Sequence, residues 1–218
     1  METRPEEYVS RHAKLFRLGL MFTSLLLVGV TTLNCQVQPT GPTGPALDIR
    51  LAHGTDTEAK TREQLLRLVG EYPVSKWIFT REILIDKDQI PHSHPVLTLH
   101  TRHLGQDDQL LSTFVHEEIH WFEEEHPAAK RAAIAELKKL YPVLPVGYPD
   151  GAQDEESDYL HIIVCYDEYQ AMKDLVGPER AKAVFEFWAG DHYRAIYRIV
   201  LEHEEKVGAL VHRYHLEP

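Results

Sequence analysis

Residues 110–122 read LLSTFVHEEIHWF and contain the motif H-E-x-x-H between His116 and His120. An α-helix repeats every 3.6 residues, so the two histidines lie one turn apart on the same face. Two imidazoles at this spacing can chelate one Zn²⁺ ion, and Glu117 between them can act as a general base towards an attacking water. The stretch therefore predicts a helix that carries two metal ligands and a base.

The composition of this stretch predicts that the helix is buried, because most of its other residues are apolar: Leu110, Leu111, Phe114, Val115, Ile119 and Phe122. A buried helix that carries His and Glu would leave polar groups unpaired unless a partner satisfies them, and a metal ion satisfies both imidazoles at once. The alternative is a solvated acidic face, because residues 123–125 continue the charged run. The metal is favoured because that run begins only after Trp121 and Phe122.

Length and composition indicate one domain of ordinary size. The chain has 218 residues, 43% of them hydrophobic, and a net charge of −11 at pH 7. This charge disfavours binding to a nucleic-acid backbone, so no nucleic-acid partner is expected. Two cysteines do not make a disulfide framework, and Cys165, inside an apolar segment, is predicted to be a small buried hydrophobe.

The first 35 residues have the pattern of a signal or anchor segment. Arg11, Lys14 and Arg17 precede an uncharged apolar run at residues 18–33. About 16 residues are short for a membrane span, which needs roughly 20, so a secretory signal fits better than a permanent span. Cys35 resembles the lipid-acceptor cysteine of bacterial lipoproteins, although Asn34 departs from the usual pattern. A lipidated Cys35, a cleaved signal and an uncleaved anchor remain the three alternatives.

A linker rich in Pro and Gly follows at residues 36–46, so the globular domain is expected to span residues 47–218. The basic flank of the apolar run should stay in the cytoplasm. The domain is therefore expected to be extracytoplasmic, either secreted or attached to the membrane through the N-terminal segment.

The order of predicted elements favours an α+β fold. Strands are predicted early, at residues 47–52, 76–85 and 95–101. Helices are predicted at residues 57–70, from 107 or 108 to 124, and at 127–140, 159–175, 179–189 and 192–207. The expected domain is a small early β-sheet packed on a mostly helical body that carries the motif helix.

A third metal ligand is expected from the helix predicted after residue 159, because catalytic zinc needs three protein ligands and one open position. His161 and Glu168 are seven residues apart and share a face that is otherwise apolar. A carboxylate on such a face is costly without a cation or good hydrogen bonds. Two turns correspond to about 11 Å of rise, so both residues cannot bind the same ion.

The motif helix and the later helix together resemble the gluzincin metallopeptidases, in which H-E-x-x-H is followed by a glutamate ligand. Residues 168–171, Glu-Tyr-Gln-Ala, look like the E-x-x-A that often marks that glutamate. The resemblance implies a zincin-like domain with one Zn²⁺ ion held by His116, His120 and Glu168. His161 remains the alternative third ligand.

The same resemblance implies a zinc-dependent hydrolase, a peptidase acting on a peptide or other amide substrate, with Glu117 as the general base. Glu118 departs from the pattern, because that position is usually uncharged. The resemblance also implies that the strand around Ser93–Thr101 is a sheet edge that pairs with an extended substrate. His192 or Tyr193 is implied as the group that holds the developing oxyanion, the alternative being aromatic core packing of Tyr193 with Tyr197.

Two other classes of protein compete with this interpretation. A non-catalytic extracytoplasmic metal-binding protein could keep the fold, but mere binding does not require Glu117. A di-iron carboxylate protein is a further alternative, because Glu117–His120 is also E-x-x-H. That class needs a matching E-x-x-H on a second helix, and the only other copy, Glu123–His126, lies on or just past the same helix.

Overall fold

Three short parallel strands and a mostly helical body make up the part of the chain that a computed structural model describes, residues 46–218. The strands are β1 (Asp48–Leu51), β2 (Glu82–Ile85) and β3 (Leu97–Leu99), in the order β1-β2-β3. This confirms the predicted α+β class with a small early sheet. The predicted signal or anchor segment, Cys35 and nearly all of the linker lie outside the described residues.

Seven α-helices lie within the described residues: α1 (Asp56–Glu71), α2 (Asp107–Glu124), α3 (Pro127–Leu140), α4 (Glu155–Val176), α5 (Pro178–Asp191), α6 (Arg194–Glu202) and α7 (Glu204–Arg213). Short 3₁₀ turns occur at Val74–Trp77 and Thr101–His103. Among these helices, none combines the length and the apolar character needed to cross a membrane.

Helix α4 is the centre of the helical body, in contact with α2, α3, α5, α6 and α7. It has 22 residues, and Asp154 begins it by accepting a hydrogen bond from the backbone N–H of Ser157. Its apolar side chains are buried on several faces, including Ile162, Ile163 and Met172. The motif helix α2 packs directly on α4, so two buried helices bring their polar residues together.

The predicted strand over residues 76–85 is wrong in its first half. Val74–Trp77 forms a 3₁₀ turn, and β2 begins only at Glu82. The physical reason is that the backbone N–H groups of Phe79 and Thr80 are bound by a side chain of α2 rather than by a neighbouring strand.

The predicted helix over residues 192–207 is also wrong, because the chain forms two helices there and the first begins only at Arg194. Tyr193 adopts the left-handed region, with φ 46° and ψ 37°, and this turn separates α5 from α6. Asp191 does not cap the helix. It binds the guanidinium of Arg102, with N–O distances of 2.9 and 2.5 Å.

Candidate metal centre

Three histidines converge where α2 faces α4. His116 and His120 come from α2 and His161 from α4, and one ring nitrogen of each lies within 4.8 Å of the others. The ring centroids form a nearly equilateral triangle with sides of 5.1, 5.5 and 5.0 Å. Ligand nitrogens 2.0–2.1 Å from one zinc ion lie at most about 4 Å apart. The three imidazoles therefore fit one ion with only small side-chain shifts.

The outer nitrogens of two of these rings have partners that fix the orientation of the ring. Nδ1 of His161 lies 2.7 Å from the carbonyl oxygen of Ser157, and Nδ1 of His116 lies 2.9 Å from Oε2 of Glu168. Donation from Nδ1 leaves the lone pair on Nε2, which is the tautomer that a metal ligand needs. The ring of His120 has no hydrogen-bond partner within residues 46–218.

Glu168 lies behind His116 rather than beside His120. Its buried carboxylate accepts hydrogen bonds from Nδ1 of His116, from the hydroxyl of Tyr197 at 3.2 Å and from the hydroxyl of Ser112. It belongs to a group of potential ligands with His116 and Cys165, but not to the group that contains His120. Of the two candidates for the third ligand, the geometry therefore brings His161 to the histidine pair, and Glu168 orients His116.

Cys165, predicted to be only a small buried hydrophobe, contacts the polar centre as well. Its sulfur lies within 4.8 Å of the nearest ligand atoms of His116 and Glu168, and burial raises its pKa to about 11. The thiol is therefore protonated near neutral pH. Cys165 lies four residues after His161 and three before Glu168, so helical spacing alone could have placed it on this face.

Burial strongly affects the pKa values of the three converging histidines. Burial, with the charge of His116 nearby, lowers the pKa of His120 well below its usual range. Burial lowers the pKa of His161 to about 3. Both rings are therefore neutral near pH 7, which is the form that binds a metal. For His116, burial acts to lower the pKa, but the neighbouring Cys165 thiol and Glu168 carboxylate outweigh it and raise the pKa, so a metal that binds Nε2 would displace the proton held there.

Glu117 faces a cleft that opens above the three histidines. The cleft has a volume of about 630 Å³ and includes all three rings in its lining. Glu117 is only 7% exposed, and its carboxylate has no hydrogen-bond partner in the described part of the chain. Burial raises its pKa to about 7. A free carboxylate with a pKa near neutrality is suited to general-base catalysis.

Glu118 has a structural role that accounts for the charge at this position of the motif. Its Oε2 atom accepts hydrogen bonds from the backbone N–H groups of Phe79 at 2.7 Å and Thr80 at 2.8 Å. The side chain therefore ties the motif helix to the segment that leads into β2.

His192 and Tyr193, the two predicted oxyanion donors, both line the cleft. The ring of Tyr193 lies 4.4 Å from that of His161. Its left-handed backbone costs roughly 1 kcal/mol in a residue other than Gly. The backbone N–H groups of Arg194 and Ala195, which follow it, bond to the carbonyls of Pro149 and Asp150, and these contacts hold Tyr193 in place.

The two donors differ in the proton that they can offer. Nδ1 of His192 lies 3.0 Å from Oδ2 of Asp191, so Nε2 carries a proton only when the ring is charged. Burial lowers the pKa of His192, which opposes that charge. Burial raises the pKa of Tyr193, which keeps its hydroxyl protonated. Tyr193 is therefore the better donor near neutral pH.

The expectation that β3 offers a free edge to a substrate is wrong. The backbone N–H and C=O of Thr98 both pair with His92, at 2.8 and 3.1 Å, in an antiparallel bridge. His92 therefore occupies that edge at Thr98, and residues 88–93 form one wall of the cleft. The indole of Trp121 on α2 holds this wall by donating to the carbonyl of Ser93 at 3.0 Å.

A second group of potential ligands, His53, Asp86 and Asp88, lies on the surface beyond β1 and β2. Nε2 of His53 already contacts both carboxylates, at 3.1 and 3.3 Å, and Lys87 pairs with Asp88. Within residues 46–218 no group of potential ligands includes Glu117, so the geometry gives no support to a di-iron site.

The residues that line the cleft are therefore the ones on which a functional proposal can be based. Comparison of the chain with protein-family models, with curated proteins and with solved structures found no match.

Proposed function

We propose that this protein is a zinc-dependent hydrolase that cleaves peptide bonds, with His116, His120 and His161 as the metal ligands and Glu117 as the general base. The observation that carries the proposal is the convergence of three imidazoles beside one free, buried carboxylate. Three protein ligands with one open position are typical of catalytic rather than structural zinc.

The donor set fits zinc on chemical grounds. Imidazole nitrogen is a preferred zinc ligand, and the hydrogen bonds of His116 and His161 at Nδ1 are the outer contacts that such ligands usually have. Glu168 serves as the carboxylate partner of His116 in this proposal. Bound zinc would supply Lewis acidity, which lowers the pKa of water towards neutrality and polarises a carbonyl group.

Two residues, Glu117 and Tyr193, have different roles towards protons in the proposed reaction. Glu117 accepts a proton from the attacking water and delivers it to the leaving amine. Its position supports both steps, because the carboxylate lines the cleft and has no hydrogen-bond partner among the described residues. Tyr193 donates its hydroxyl hydrogen to the oxygen of the substrate carbonyl as negative charge develops there.

Substitution Glu117→Gln tests the proposal. We expect this variant to bind one zinc ion per chain, as the wild type does, and to lose hydrolysis of peptides. Zinc content is measured by mass spectrometry, and hydrolysis with a mixture of unrelated peptides analysed for new termini. Glu125→Gln, an exposed neighbour on the same segment, is the control and should retain both properties.

Two results would contradict the proposal. A wild-type protein that binds no zinc would remove the metal centre. A wild-type protein that binds zinc and cleaves no peptide bond would point to the non-catalytic metal-binding alternative.

A further inference from the structure

The charged groups of the cleft are almost all neutralised by the protein itself. Five charged side chains line it: Asp88, Arg102, Glu117, Glu168 and Asp191. Arg102 binds both carboxylate oxygens of Asp191, at 2.9 and 2.5 Å. Asp88 contacts the ammonium of Lys87 at 2.6 Å and Nε2 of His53 at 3.3 Å. Glu168 is bound by its three buried donors, so among the described residues only Glu117 lines the cleft without a partner.

This pairing restricts the substrates that the cleft can hold. A free C-terminal carboxylate needs an available cation, and a free N-terminal amine needs an available carboxylate. Arg102 could serve a carboxylate only by giving up its two bonds to Asp191. Glu117 is required as the base. The cleft therefore gives no favourable position to a charged terminus or to a charged side chain next to the scissile bond.

The exposed lining of the cleft combines polar residues, among them Gln89 and Gln153, with two large apolar side chains. These two side chains, Ile90 and Tyr148, both line the cleft and are each 79% exposed. Pro91 and Leu160, both half-buried, add to the apolar part of the lining. Such exposed apolar surface is stabilised when another apolar group covers it.

Tyr148 is held in place by its loop. The backbone of Gly147 accepts a hydrogen bond from Gly151 at 2.9 Å and donates one to Ala152 at 2.8 Å. Gly151 packs so closely against the carbonyl oxygen of Pro145 that no side chain fits there. The exposed ring therefore projects from a tightly packed turn and is available to a ligand without rearrangement.

We infer that the cleft takes an uncharged internal segment of a polypeptide, with a bulky apolar side chain packed against Ile90 and Tyr148, and does not take a free chain terminus. This inference rests on the proposed peptidase function and adds the substrate class and an endo-acting mode to it.

The test uses fluorogenic peptides of equal length with blocked termini and zinc-loaded protein. One peptide carries Phe and Leu around its centre, a second carries Lys and Asp there, and a third repeats the apolar sequence with free termini next to the cleavable bond. We expect the blocked apolar peptide to have the highest kcat/KM. Tyr148→Ala and Ile90→Ala should each raise its KM about five- to tenfold with little change in kcat.

Val143→Ala is the matched control, because Val143 lies in the same loop, is 87% exposed and does not line the cleft. It should behave as the wild type does. Equal cleavage of the charged or free-terminus peptide overturns the inference, and so does a KM for Tyr148→Ala equal to that of the control.

Binding separates a failure of this inference from a failure of the proposed function. The same labelled peptides are titrated into the zinc-loaded Glu117→Gln variant and followed by fluorescence anisotropy. Tighter binding of the blocked apolar peptide, weakened by Tyr148→Ala, supports the substrate class even if the wild type shows no turnover. Binding without that preference overturns it. If the Tyr148 and Ile90 variants instead lose binding to phosphatidylcholine vesicles and keep peptide binding, these two side chains contact lipid and the inference is wrong.

Discussion

Removing His161 should abolish tight zinc binding, whereas altering Glu168 should only weaken it. His161→Ala takes away one of the three converging imidazoles. Glu168→Gln keeps the shape of the side chain and its contacts with Ser112 and Tyr197, but removes the charge that faces Nδ1 of His116. The two variants therefore distinguish a metal ligand from a residue that orients a ligand.

The expected magnitudes follow from the geometry. Zinc bound by four protein ligands is held with about 10–16 kcal/mol, so one ligand accounts for about 3–4 kcal/mol, or about 10²–10³ in affinity. Loss of a carboxylate that orients a ligating histidine usually weakens metal binding by about 10–100-fold. His161→Ala should therefore have the larger effect of the two.

Zinc affinity is measured by competition with a chromophoric chelator at pH 7.5, with circular dichroism to check folding. His103→Ala is the control, because His103 is also buried and lines the cleft but belongs to neither group of ligands that includes His116. It should bind zinc as the wild type does. If His161→Ala retains wild-type affinity while Glu168→Gln loses it by 10²-fold or more, the assignment of His161 is refuted and Glu168 is the ligand.

Three further predictions concern catalysis, pH and packing. Tyr193→Phe should lower kcat by about 10²-fold at unchanged zinc content, because it removes one oxyanion donor; an unchanged kcat would exclude that role. Glu123 is fully buried, both its oxygens lack a partner among the described residues, and burial raises its pKa from 4.5 to about 7. The folded state thus holds the proton on Glu123 more tightly than the unfolded state does. The resulting contribution to the free energy of unfolding is fully present below pH 4.5, and about 3 kcal/mol of it is lost as the pH rises to 7. Urea unfolding from pH 4.5 to 8 should show that Glu123→Gln lacks this loss, and a pH profile identical to that of the wild type would contradict the prediction. Gly151→Ala would place its Cβ 1.8 Å from the carbonyl oxygen of Pro145, so this substitution should lower the free energy of unfolding by about 3 kcal/mol. Gly190→Ala is the control, because a Cβ there meets open space and should leave that free energy unchanged. Equal melting temperatures for the two variants would refute this prediction.

Local patterns in the sequence were sufficient for several elements. The apolar spacing of residues 110–122 predicted the buried motif helix, and α3 begins and ends at the predicted residues, Pro127 and Leu140. The early strands and late helices predicted the α+β class correctly. These features depend on residues a few positions apart, so helical and strand periodicity determine them. The same periodicity placed His116 and His120 on one face, with Glu117 next to His116 in the sequence.

Contacts between elements decided the rest of the site. Periodicity puts His161 and Glu168 on one face of α4, but it does not say which turn of that face meets the histidine pair, because this depends on how α4 lies against α2. The fold brings His161 to His120 and Glu168 to the far side of His116.

The interruption of helical structure at Tyr193 and the pairing of Thr98 with His92 also depend on distant contacts. The carbonyls of Pro149 and Asp150 hold the start of α6, more than 40 positions away in the chain. The sequence by itself therefore determined the fold class, the motif helix and two of the candidate ligands. Only the tertiary structure decided which candidate third ligand lies beside the histidine pair and which segments form the walls of the cleft, because both depend on packing between segments that local sequence preferences do not encode.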